Sequence, residues 1–327
     1  MSSGDRQGEG REMRVLIAVD GSKGSEVVLQ EALARPWPLG TRFCFLTVID
    51  PFFFTRAPLL LDEAKEGAAK FLGEAAERFG AAGWQTEVEV IFGNPRHAIS
   101  QSAHEWRADL VMLGSHGLKT LARLAFGSTG RTVLRHTMCS VEIVRAIGAE
   151  YVPGKQGKRI LLATDGSEFS TAAVKSVAQR PWPHGTEVKV ISVPEFALWL
   201  GEFPHFQLAQ VEELNHSALD AARAAVAQGK ELLRRSGLEV CTDVPVDREA
   251  PARTILETAK EWNADLIVVG SHGRRGFDRI AMGSVSEALA MHAHCSVEVV
   301  RIAQRVEVKG EEYESERSYG GHPVHVS

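Results

Sequence analysis

The chain has little from which to build a disulfide or zinc framework. It carries four cysteines in 327 residues, Cys44, Cys139, Cys241 and Cys295, with no Cys-x-x-Cys pair. A reducing, cytoplasmic setting is the expectation. Basic excess is also missing. The net charge is −5 and the pI near 6.2, which argues against a non-specific nucleic-acid binder. No apolar run approaches the roughly 18 residues of a membrane span, so no transmembrane segment is expected. The polar residues 1–10 lack the apolar core of a signal peptide. Two common nucleotide signatures are absent too. Without a Gly-Lys-Ser/Thr there is no P-loop, and no Gly-x-Gly-x-x-Gly follows the first apolar run to mark a standard dinucleotide site. The histidines lack ligand spacing, so no metal site is expected.

What the chain does have is one pattern written twice. Gly114, Gly117, Gly127 and Ser128 fit glycine, two residues, glycine, nine residues, glycine, serine, and Gly270, Gly273, Gly283 and Ser284 fit it again 156 residues later. Each copy follows an apolar run, Asp109-Leu-Val-Met-Leu-Gly114 and Asp265-Leu-Ile-Val-Val-Gly270. Other segments repeat as well. Val15-Leu-Ile-Ala-Val-Asp20-Gly-Ser22 matches Ile160-Leu-Leu-Ala-Thr-Asp165-Gly-Ser167, and the Arg-Pro-Trp-Pro at Arg35 recurs at Arg180. The offset is 145 early in each half and 156 later, so the second half holds 11 extra residues between about 195 and 245. A period this long means domain duplication, not a solenoid.

Each half alternates apolar strands with helical stretches. In the first, strands are expected at 14–19, 41–48, 85–92, 109–113 and 140–145, with helices at 22–35, 62–80, 95–106 and from 128. Apolar strands separated by helices indicate a parallel sheet covered on both faces, a doubly wound α/β fold. The division is a tail at 1–12, a domain at 13–146, a Gly-rich linker at 147–157, a domain at 158–303 and a tail at 304–327. Both tails are polar or Gly-rich and are expected to be disordered.

Ligands of such folds bind beyond the carboxyl ends of the strands. The glycines there let backbone approach a ligand or adopt positive φ, and the Gly-Ser pair opens a helix whose first N–H groups can hold phosphate. The expected phosphate contacts are Gly114, Gly117, Gly127, Ser128 and Thr129, then Gly270, Gly273, Gly283 and Ser284, where Val285 replaces the threonine. Asp20 and Asp165 end the first strands and can accept bonds from a base or ribose, or cap the next helix. Val48 and Val193 can contact a base or simply fill the core. His116 and His272 can donate to phosphate, with an idle exposed loop residue as the default. Lys119, Arg123, Arg274, Arg275 and Arg279 can neutralise phosphate, with a solvated loop as the default. The apolar segments 51–61 and 196–206 can serve as partner or membrane-surface contacts, but they are expected to fold over the pockets or between the halves. No general base and no paired Mg²⁺ carboxylates stand at the glycine loops, so no catalytic residue is assigned.

On these motifs the chain resembles the universal stress protein family, as a tandem member of the ATP-binding class, over about residues 13–145 and 158–302. The resemblance implies two Rossmann-like domains of the adenine nucleotide alpha hydrolase-like type, each a five-stranded parallel sheet with helices on both faces. It implies ATP, with Mg²⁺, on the residues above. It also implies pairing through the last strands, Val141–Arg145 and Val297–Arg301, within one molecule or between two chains in a homo-oligomer. The expected function is a nucleotide-dependent regulator of stress response or signalling that acts on a protein partner. A slow ATPase or phosphotransferase and a nucleotide-free scaffold are the alternatives. Ser140 and Ser296 replace the proline usual after cysteine, which should alter a strand start. Glu249 stands where the first half has Gly93 and would repel a nucleotide if it faced the pocket.

Overall fold

A computed structural model describes residues 12–115, 127–145, 157–196, 208–246, 249–274 and 282–302. In the first half β1 (Arg14–Ala18), α1 (Lys23–Ala34), β2 (Arg42–Ile49), a 3₁₀ turn (Pro51–Phe54), α2 (Leu60–Ala81), β3 (Gln85–Phe92), α3 (Pro95–Glu105), β4 (Leu110–Gly114), α4 (Ser128–His136) and β5 (Ser140–Val144) follow in turn. The second half repeats the alternation as β6 (Arg159–Ala163), α5 (Glu168–Gln179), β7 (Glu187–Ile191), α6 (Leu208–Arg234), β8 (Glu239–Asp243), α7 (Pro251–Glu261), β9 (Leu266–Gly270), α8 (Ser284–His292) and β10 (Ser296–Val300).

Each half is a five-stranded parallel sheet, in the order β3-β2-β1-β4-β5 and its mirror in sequence β8-β7-β6-β9-β10. This is the expected Rossmann-like arrangement. Strands alternate side chains between two faces, and both faces are buried along the inner strands, while the edge strands β3 and β8 stay largely exposed. Leu16 and Ala18 join one apolar layer while Val15 and Ile17 join the other. The first layer is continuous from Leu16 through Val141 to Val299, so it runs beneath both domains. On the opposite face each domain keeps its own core.

The eleven extra residues of the second half are not one loop. Arg42 pairs with Gln85 while Glu187 pairs with Glu239, a chain separation nine residues longer. Helix α6 is 27 residues against 22 for α2, and the last two extra residues fall between β8 and α7.

The halves join through β5 and β10, which pair antiparallel and make one ten-stranded sheet. Here the pairing through the last strands lies within one chain. Glu142 stands directly opposite Glu298, and both are buried. Two like charges so placed repel, and each meets a buried arginine. Arg35 donates to Glu142 at 2.6 and 2.8 Å and to Glu31 at 3.0 Å. Arg180 donates to Glu298 at 2.8 and 3.0 Å. The Arg35 guanidinium also lies 5.5 Å from the ring of Trp182, across the seam, and Lys158 of the second domain reaches Glu31 of the first. The repeated Arg-Pro-Trp-Pro is therefore part of the interface.

Candidate functional site

The site begins at the ends of β1 and β6. Gly21 and Gly166 take positive φ, +76° and +78°, and turn the chain into the next helix. Ser22 and Ser167 cap those helices, accepting from the N–H of Ser25 and Ser170. Asp20 is tied into the turn, its Oδ1 accepting from Ser22 N at 3.1 Å and Ser25 Oγ at 2.9 Å. Asp165 Oδ1 accepts from Ser167 N at 3.0 Å, and its Oδ2 accepts from Arg274 N at 2.9 Å. Burial pushes the Asp165 carboxyl up, but the hydrogen bonds from Ser167, Ser170 and Arg274 outweigh it and hold the group below the ordinary aspartate range.

Beyond β4 and β9 the chain returns to form the second wall. Ser115 N donates to Val144 O at 3.1 Å and Gly127 N to Ser115 O at 3.0 Å; Ser271 and Gly283 repeat this at 2.9 Å each. Gly127 and Gly283 then sit as N-caps of α4 and α8 with no side chain to bond the first turn. The opening amides of both helices point outward with no side-chain cap, an arrangement that receives anions.

The glycines serve closeness more than special backbone angles. Gly127 and Gly283 are extended, with φ −64°. A Cβ on Gly270 would stand 2.6 Å from the carbonyl carbon of Phe169, so β9 touches the backbone opening α5. One on Gly273 would stand 2.9 Å from Asp165 Oδ2. Positive φ belongs instead to the Asp-Gly-Ser turns.

These walls enclose one cavity in each half, about 610 Å³ in the first and about 500 Å³ in the second. Asp20, Val48, Gly114, Gly127, Ser128 and Thr129 all line the first. Asp165, Val193, Gly270, Gly273, Gly283 and Ser284 all line the second. Residues far apart in sequence thus converge twice on a pocket of ligand size. Gly117, His116, Lys119, Arg123, Arg275 and Arg279 lie outside the described residues, as do 147–156, the tail at 304–327 and most of 196–206.

The universal stress protein family profile matches residues 13–145 and again 157–301. The chain belongs to the universal stress protein family. It is 30% identical over 249 residues to a universal stress protein of Mycobacterium tuberculosis, covering 73% of this chain and 77% of that one. It is 31% identical over 144 residues to one of Methanocaldococcus jannaschii, covering 44% and 82%. A universal stress protein from Archaeoglobus fulgidus has a similar fold, with TM-score 0.61 at 23% identity over 88% of this chain and 98% of that one. Family membership supports a stress-response role.

Against this family background some residues behave otherwise than the sequence suggested. His272 is buried rather than exposed. Its Nδ1 lies 3.0 Å from Ser271 Oγ and its ring 4.8 Å from that of Phe169. Glu249 does not line the cavity, and its carboxylate pairs with Arg253 at 2.9 Å. The i, i+4 spacing of Glu249 and Arg253 was the available signal. Ser140 and Ser296 do more than start strands. Their hydroxyls accept from Arg301 N at 3.2 Å and Arg145 N at 3.1 Å, each across the seam.

Other pocket residues went unnoticed in the sequence. Asp50 and Glu195 bring a carboxylate to each cavity, and Ile99 and Ile255 bring matching apolar walls. Phe53 and Phe54 line the first cavity, as expected of segment 51–61. Ser286 donates to Gly270 O at 2.7 Å, a bond that Gly130 in the first half cannot make. Arg96 Nη2 donates to Ser128 Oγ at 2.9 Å. Among the described residues no group of three or more metal-ligating side chains gathers, and no helix is long and apolar enough to cross a membrane.

Proposed function

We propose that each half binds an adenine nucleotide, ATP with Mg²⁺, and that occupancy switches a surface read by a protein partner in the stress response. The observation that carries this is the convergence of the repeated motif residues on one cavity per half, beyond the carboxyl ends of the strands. The donor set suits the ligand. The apolar side, Val48 with Ile99 and Val193 with Ile255, offers a slot for a flat base. Asp20 and Asp165 offer acceptors for ribose or base. The uncapped first turns of α4 and α8 offer amides for phosphate. Mg²⁺ would ride chiefly on the phosphates and water, as it commonly does. Binding to this form and not to another would supply the switch energy.

Nucleotide released from the denatured, purified protein, resolved by chromatography, tests this. About two adenine nucleotides per chain support two working sites, and about one means unequal halves. None, together with no thermal stabilisation by added ATP and Mg²⁺, would sink the reading.

A further inference from the structure

Arg96 occupies an electrostatically odd place. Asn94 caps α3 and Pro95 is its first residue, so Arg96 stands in the first turn. Its guanidinium reaches to Ser128, the first residue of α4. Two helix N-termini therefore meet around a cation, although helix N-termini favour negative charge. Neither first turn contains an acidic residue, and no carboxylate among the described residues pairs with Arg96. Pro95 and Ser128, which flank it, both line the first cavity. Asn94 already takes the Arg96 N–H and Pro95 has none, so the free amides are those of α4, and an anion held there would have the Arg96 cation beside it through Ser128.

The bond to Ser128 also has a direction. Arg96 donates, so the serine oxygen accepts and its own proton is left to donate elsewhere. A hydroxyl polarised in this way is the stronger donor to a phosphate oxygen.

The second half lacks this device. Pro95 corresponds to Pro251, so Arg96 corresponds to Ala252. Arg253, one residue on, is engaged with Glu249 and Glu257 at 2.9 Å each. Helix α8 carries Glu287 in its first turn, where α4 has no acid. The extra arginine of the second cavity, Arg274, lies at the other wall, its backbone N–H on Asp165.

We infer that Arg96 is a specificity-determining phosphate clamp of the first site alone, and that it makes this site the tighter one for polyphosphate nucleotides. This rests on the nucleotide reading above. Its effect grows with phosphate number, because the attraction scales with ligand charge.

Titration calorimetry of the full chain with ATP, ADP and AMP tests it. Arg96→Ala should weaken one of two ATP-binding events about tenfold, a charge-assisted bond's worth. ADP should lose less and AMP little, and the salt dependence of ATP binding should flatten. Arg96→Lys should restore part of the loss. Ala252→Arg should tighten the other event, and this variant keeps the test open if Arg96→Ala proves unstable. Equal losses for all three nucleotides would mean that Arg96 only props α3 against α4, and no loss for any would likewise overturn the clamp. A wild-type chain that binds none of the three would overturn the nucleotide reading instead.

Discussion

The two halves share a topology and differ in what fills it. In the first, Phe43, Phe45 and Phe79 are fully buried, and Phe79 meets each of the other two edge-on at 4.9 Å. Trp84 adds a further edge contact to Phe43 at 5.8 Å. The positions of Phe43 and Phe45 become Val188 and Val190 in the second half. The covering helix makes up the difference by coming closer. A Cβ on Gly229 of α6 would stand 3.2 Å from Val190 Cγ1. Interiors are filled to crystal-like density, so large strand residues go with a helix held away and small ones with a glycine on the helix. The halves also differ near the two cavities, where Ser286 bonds Gly270 O and its counterpart is Gly130.

The comparison breaks most readily at the seam. Arg35→Met should cost about 3–5 kcal/mol in chemical denaturation, because it leaves buried Glu142 without its cation and Glu31 with Lys158 alone. Arg180→Met, which strands only Glu298, should cost less; equal losses would mean that the two seam arginines carry the same load. In the cores, Phe43→Ala should cost about 3–5 kcal/mol, and Val188→Ala about 1.5–3 kcal/mol.

The third effect is in pH. Burial pushes the Glu31 carboxyl up, but Arg35 and Lys158 outweigh it and bring it from 4.5 to about 2. A carboxylate with a depressed folded pKa stabilises above its unfolded value. Its contribution is therefore complete above about pH 4.5 and lost as the pH falls toward 2. Glu31→Gln should flatten the denaturation midpoint over that window; an unchanged slope would show that Glu31 is not so held. The smallest effect is at Glu249. Its pair with Arg253 is exposed, so Glu249→Gln should change stability by no more than about 0.5 kcal/mol. Second-site nucleotide affinity should not move, and a rise on this change would return Glu249 to the pocket.

Much of the fold was legible because its signals are local. Apolar inner strands and helices that begin just after Asp20 and Asp165 each depend on near neighbours in sequence, whereas the positive φ fell on Gly21 and Gly166 rather than on the described motif glycines. The candidate pocket was legible for another reason. A parallel sheet delivers the ends of β1, β2 and β4 to one edge, so motifs at strand ends must meet. What stayed hidden was long-range pairing. Arg35 and Glu142 lie 107 residues apart and look like surface charges in sequence. Arg96 and Ser128 are 32 apart, joined only once α3 packs on α4. Burial of His272 likewise depends on Phe169, which its own loop does not contain.

The antiparallel seam has one more consequence. Two identical chains meeting on a two-fold axis must place the same residue on both sides of it, so every substitution there appears in duplicate. Here Glu142 faces Glu298 across such an axis, but the two belong to one gene product and are encoded separately. A change on one side needs no twin on the other. That freedom lets Arg96 stand opposite Ala252, and Gly130 opposite Ser286, without disturbing the shared sheet. Fusing two copies in one chain makes the symmetry optional, residue by residue, and lets one half specialise while the other keeps the partnership whole.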